Sequence, residues 1–162
     1  MDKRLRRILP TVQKPARYTG GEYNEIIKDR RSVKLRMAFC FPDTYEIGMS
    51  NLGMRILYGC INAVPEFWCE RVFAPWGDMA EAMRRENIPL YALESGDPLG
   101  EFDVLGFSLG YEMAYPTVLD MLDMAGLPLR SAERTELTPL VFAGGTGICN
   151  PEPMAPFMDL MA

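Results

Sequence analysis

The sequence contains no histidine. This removes the commonest protein ligand for transition metals and the side chain that titrates nearest neutral pH, so a histidine-based zinc site or general base cannot be built here. The four cysteines, Cys40, Cys60, Cys69 and Cys149, are widely separated and show no CxxC spacing, which argues against a zinc or iron–sulfur site within these residues. Cys40, Cys60 and Cys69 fall inside apolar strand or helix patterns and read as reduced, buried thiols. No apolar run reaches bilayer length and no hydrophobic signal region follows the basic N-terminus, which points to a cytoplasmic protein without membrane contact.

What is present fits one domain. A chain of 162 residues buries roughly 70% of the surface that its unfolded form exposes. Charge is unevenly spread: residues 1–32 hold nine Lys or Arg against four Asp or Glu, while the whole chain carries a net −5. Such asymmetry fits a basic arm that either folds back on an acidic body or touches nucleic acid. Arg4, Arg6 and Arg7 are interleaved with Leu5, Ile8 and Leu9, which favours the fold-back reading. Residues 1–7 read as a short helix that Pro10 stops, and the segment to Ser32 as a Pro- and Gly-punctuated leader packed on the body, residues 33–162.

The body opens with an apolar run, 33–41, that reads as a buried parallel strand ending at Pro42. A polar loop, 42–51, follows, and then an apolar stripe at helical spacing: Leu52, Ile56, Leu57, Cys60, Ile61 and Val64. Residues 67–73 form a second strand. Asp78 and Glu81 resemble a capping box for a helix over 79–86. A third strand, 102–107, contains Gly106, which marks a close approach of backbone or ligand. Pro116 starts a helix whose apolar face is Val118, Leu119, Met121 and Leu122 and which Gly126 stops. A fourth strand, 140–143, precedes a Gly-rich loop, and residues 153–162 read as the first turns of a helix. The alternation predicts a parallel sheet with helices on both faces, its last strand missing, its edge open to self-association and the polypeptide continuing beyond these residues.

Ligands in such sheets bind at the carboxyl ends of the strands. Three loops therefore carry the candidate cofactor-binding residues: Asp43, Thr44, Tyr45 and Gly48 after the first strand; Ser108, Leu109 and Gly110 after the third; Gly144, Gly145, Thr146 and Gly147 after the fourth. Small residues there let backbone N–H groups approach a ligand, although each glycine is equally explained by turn geometry. Asp43, Glu46, Glu112 and Glu152 are acidic candidates on the same rim, and helix capping is the plainer role for Asp43 and Glu112. Tyr45 and Tyr111 are candidate stacking or hydrogen-bonding groups. The methionines read as core filler. Arg17, Tyr18 and Tyr23 bring basic and aromatic groups together, a weak nucleic-acid signal.

Taken together, KPARYTGGEYN (14–24), AFCFPDTYEIGMSNLGMRILY (38–58), ERVFAPWGDM (70–79), IPLYALES (88–95), FDVLGFSLGYEMAYPTVLDMLDMAGLPL (102–129) and FAGGTGICNPEP (142–153) resemble the N-terminal, cobalamin-binding-like domain of bacterial radical S-adenosylmethionine (SAM) proteins. The resemblance implies a three-layer α/β/α, Rossmann-like (flavodoxin-like) module that is not itself catalytic. It also implies a downstream radical SAM barrel that holds a [4Fe-4S] cluster and S-adenosylmethionine. Domains that bind cobalamin through a lower-face histidine carry DxHxxG after the first strand. Here Asp43 to Gly48 read DTYEIG, so Tyr45 stands at the histidine position and histidine ligation of cobalt from this chain is ruled out. Three readings follow: cobalamin held without a protein nitrogen, its ring on the strand ends and its nucleotide tail between sheet and helices; a cofactor-free module that docks a macromolecular substrate, RNA among the candidates; or a nucleotide-binding domain using residues 144–147.

Overall fold

The strand β1, Leu35–Phe41, sorts its residues by parity. Met37 and Phe39 join one apolar cluster and Ala38 and Cys40 another, as the alternating geometry of a strand buried on both faces requires. In a computed structural model, which describes residues 3–136 and 139–162, β1 pairs in parallel with β2, Phe67–Phe73, and with β3, Val104–Ser108. Beyond β3 lie β4, Leu140–Gly144, and β5, Leu160–Met161, both parallel, giving the order β2-β1-β3-β4-β5. This all-parallel sheet with flanking helices is a three-layer, Rossmann/flavodoxin-like fold.

Five α-helices accompany the strands among the described residues: α1, Lys3–Ile8; α2, Tyr45–Ser50; α3, Leu52–Asn62; α4, Gly77–Arg85; and α5, Tyr115–Met124. Right-handed crossovers send the β1-to-β2 connection over one face and the later connections over the other, because the order reverses after β2. The clusters obey this rule. Met79 and Met83 of α4 and Val118, Met121 and Leu122 of α5 pack with Ala38, Leu105 and Val141, whereas Met54 and Tyr58 of α3 pack with Met37 and Phe39 on the opposite face.

The leader belongs to this packing. Leu5, Ile8 and Leu9 are buried in the larger cluster, and Arg4 donates to the carbonyls of Glu86 and Asn87 at the end of α4. The first two residues of the predicted N-terminal helix lie outside the described residues. Further on, the leader runs along the outer edge of β2. Asn24 accepts from Arg71, Ile26 accepts from the indole of Trp68, and Lys28 donates to the carbonyls of Asn62, Val64 and Phe67. The Asn62 amide brackets Cys69, donating to its carbonyl at 2.9 Å and accepting from its N–H at 3.0 Å. The β2 edge is therefore not an open template for another chain.

Several expectations are corrected. The last strand is present: 153–162 is not the start of a helix, because Pro153 and Pro156 interrupt helical hydrogen bonding and Asp159 instead accepts from Val141 N and from Arg134, aligning Leu160 and Met161 with β4. Six residues of the predicted loop 42–51, Tyr45–Ser50, are helical, and Asn51, extended in backbone, caps α3 by accepting from Met54 N. The capping box at α4 does not form. Trp76 is the N-cap residue, and Asp78 accepts from the backbone N–H groups of Gln13 and Met79. The stripe on α3 faces outward, with Leu52, Ile56 and Leu57 66%, 54% and 50% exposed, because Met54, Tyr58 and Asn62 occupy the inner face. Cys60 is exposed with that stripe, not buried.

Candidate functional site

Parallel register brings the ends of β1, β3 and β4 side by side, and the strand order reverses between β1 and β3. In this topology the crevice at that reversal is where ligands lie. A hollow of about 300 Å³ opens there, lined by Pro42, Asp43, Thr44, Pro75, Tyr111 and Thr117. Asp43 ties the first loop down: its carboxylate accepts from Thr44 N at 2.7 Å and its carbonyl from Ala74 N at 3.0 Å. Tyr111 and Met113 stand exposed at the mouth. A carboxylate, two hydroxyl-bearing threonines and a half-exposed phenol make a wall that accepts and donates hydrogen bonds and offers a ring for stacking.

The other rim residues divide. Leu109 is fully buried, its N–H donating to Gly144 O at 2.8 Å and its carbonyl accepting from Gly147 N at 2.9 Å, while Thr146 donates to Gly110 O at 2.9 Å. A Cβ on Gly145, which has φ +115°, would lie 2.5 Å from Leu109 O, and one on Gly147 3.1 Å from it. These glycines therefore serve the interlocking of two loops. Gly48 serves packing too, a Cβ there meeting the Phe73 ring at 2.1 Å. Ser108, Gly144 and Gly145 line a second, apolar groove of about 300 Å³ between α3 and the sheet, walled by Leu57, Ile61 and Phe142. Gly106 lies at its floor, where a Cβ would come 2.4 Å from Met37 Cε and 2.7 Å from Phe142 Cε1. The close approach that Gly106 permits is thus that of two neighbouring side chains.

Tyr45 turns away from the hollow. Its hydroxyl donates to Glu22 of the leader, and its ring meets Phe73 edge-on, centroids 5.6 Å apart. Burial, reinforced by Glu22, pushes the phenol up to about 12. Glu46 is taken by Arg17, whose Nε donates at 2.9 Å, and by Lys14 at 3.2 Å. The Arg17 hydrogen bond holds its carboxyl at about 2. Glu112 and Glu152 are exposed, so only Asp43 of the four acidic candidates lines the hollow. Sequence reasoning missed Pro75, Met113 and Thr117. The signal lay in β2 pairing beside β1, which carries the loop after Phe73 to the same rim.

No group of His, Cys, Asp or Glu able to hold a metal ion occurs among the described residues, nor does any described helix have the length and apolarity to cross a membrane. The residues do not suit an axially ligated corrin: the phenol at the histidine position is bonded to Glu22, and Gly145 and Gly147 are packed against Leu109. Cys40 and Cys69 are buried in strands while Cys60 and Cys149 are exposed, which gives an iron–sulfur cluster no common seat.

The strand order and the strand-end hollow define the class, a Rossmann/flavodoxin-like domain with a crevice at its switch point. The family model described as the N-terminal region of radical SAM proteins matches residues 53–162, more than half of the chain, and the chain belongs to that family. The family implies a radical SAM domain downstream in the same polypeptide and, for the full protein, an iron–sulfur cluster and S-adenosylmethionine. No curated protein and no solved structure matches the chain.

Proposed function

We propose that this domain is the substrate-positioning module of a radical SAM protein, catalysing nothing itself and presenting a flat ring with hydrogen-bond donors to the downstream domain. The observation that carries this reading is the hollow at the β1/β3 reversal, where Asp43, Thr44 and Thr117 supply polar groups beside the exposed ring of Tyr111. Asp43 disfavours a phosphate at that position and favours donors such as exocyclic amines. Adenosine is a suitable probe. Titrated into the ¹⁵N-labelled chain, it is expected to shift the amides of Thr44, Tyr111 and Thr117 together. Shifts confined to Gly144 to Gly147 would instead indicate nucleotide binding at the Gly-rich loop, and the absence of shifts would remove the hollow as a site.

A second reading is favoured by one observation, the apolar groove that opens beside Ser108 and Gly144. Its apolar lining of Leu57, Ile61 and Phe142 suits the aromatic tail of a corrinoid held without a protein nitrogen. Binding RNA through a detached basic arm has less support, since Leu5, Ile8 and Leu9 anchor that arm in the core.

A further inference from the structure

One wall of the hollow is Asp43 and Thr44, following β1, and the next is Ala74 and Pro75, following β2. The chain leaves the first wall into α2, which carries Glu46 in its opening turn, and leaves the second at Trp76, the extended N-cap residue of α4. A short turn of the leader, Pro15–Tyr18, touches both exits. Arg17 Nε donates to Glu46 Oε1 at 2.9 Å, Nη2 stands 2.8 Å from the same oxygen, and the guanidinium carbon lies 5.6 Å from the centroid of the Trp76 ring. The Tyr18 hydroxyl accepts from Trp76 N at 3.1 Å. Tyr18 is itself fixed, its ring buried in the main cluster and its carbonyl accepting from the Tyr91 hydroxyl at 2.9 Å. Neither Arg17 nor Tyr18 lines the hollow.

Anchoring the leader does not require this arrangement. Leu5, Ile8, Leu9 and Tyr18 supply the buried apolar surface, whereas a partly exposed ion pair such as Arg17 with Glu46 contributes little to stability. What Arg17 supplies is geometry: one planar cation engages a carboxylate and a ring that belong to the sequels of two different walls. The walls also meet directly, Ala74 N donating to Asp43 O at 3.0 Å, so drift at either exit loosens that bond. We infer that Arg17 and Tyr18 are positioning residues for the hollow: they clamp the loops after β1 and β2 together, so that Asp43, Thr44 and Pro75 keep the spacing that a flat ring requires. The consequence for a ligand rests on the hollow being the binding site, whereas the clamp itself does not.

The test uses the ¹⁵N-labelled chain. In Arg17→Ala, hydrogen exchange at the Ala74 amide, read without any ligand, is expected to speed up about fivefold, the factor that one lost hydrogen bond corresponds to. Adenosine, followed at the Thr44 and Thr117 amides, is expected to bind about fivefold more weakly by the same factor. Thermal melting is expected to stay within about 2 °C of the parent, as for a surface change. Tyr18→Phe, which removes the oxygen that accepts from Trp76 N, acts in the same direction. Arg17→Lys, which keeps a cation for Glu46 but not the planar group over Trp76, recovers part of both effects. Lys14→Ala, which takes a cation from Glu46 and leaves the Trp76 contact intact, moves neither. Parental exchange at Ala74 in Arg17→Ala would overturn the clamp, as would faster exchange throughout the core in step with a lower melting temperature, which would make Arg17 a stability residue. Equal adenosine affinity in the parent and in Arg17→Ala would overturn the positioning role. If the parent fails to bind adenosine while Ala74 exchange responds as described, the clamp stands and the reading of the hollow falls.

Discussion

Tyr45 donates a hydrogen bond to Glu22, a residue twenty-three positions earlier in the leader. The contact fixes the leader against the start of α2 and commits the phenol to a structural role. Burial, then Glu22, raises the phenol to about 12 from an ordinary 10. Because the folded value lies above the unfolded one, the contribution is present in full below about pH 10 and is lost as pH rises through about 12. Phenolate absorbance followed in the chain and in Tyr45→Phe is expected to differ by one late transition near pH 12. The variant should lose about 1 kcal/mol of stability, as one hydrogen bond does. A difference centred near pH 10 would show that Tyr45 is solvated.

Gly145→Ala is expected to destabilise the fold by about 1–3 kcal/mol, combining overpacking with a strained backbone. The new Cβ would approach Leu109 O to 2.5 Å at a φ of +115°. Urea denaturation measures this, and an unchanged midpoint would contradict the interlocking of the two loops. A bulkier substitution here tests folding before it tests binding.

Asn62→Leu removes both partners of Cys69 on the β2 edge. Leaving a buried amide and carbonyl unpaired costs about 1–3 kcal/mol, and hydrogen exchange at the Cys69 amide is expected to speed up in step. Exchange as slow as in the parent would mean that the leader alone protects this edge.

Leu5→Ala and Ile8→Ala are each expected to cost about 2–5 kcal/mol, the range for emptying a core position, because both side chains are buried in the main cluster. Thermal melting gives the value. A loss below about 0.5 kcal/mol, the usual size for a surface change, would return the arm to solvent. Removing the leader would therefore report on stability first and on any nucleic-acid contact second.

Much of the fold was legible in the sequence. Residues 67–73 announced β2 through their aromatic and β-branched content, and Pro116 with Gly126 bracketed α5, since these signals are local. What failed depended on partners distant in sequence. The stripe from Leu52 to Val64 has the spacing of a core face, yet the inner face of α3 is chosen by Tyr58, which accepts from Ile26 N and lies under the Arg71 guanidinium, and by Asn62. Likewise Leu160–Met161, at the end of the Pro-bearing segment 153–162, became a strand through the Asp159 contact with Val141 and Arg134. At the site, the glycines were visible, but the packing of Leu109 against Gly145 and Gly147 was not, because that contact joins loops distant in sequence.

The positioning role is tested most directly by titrating the purified domain with hydroxocobalamin and following the corrin absorption bands. With Tyr45 held by Glu22 and Gly145 and Gly147 packed against Leu109, the bands are predicted to stay where they are at saturating protein. A stoichiometric shift of those bands would contradict the account and assign the rim and its apolar groove to a corrinoid.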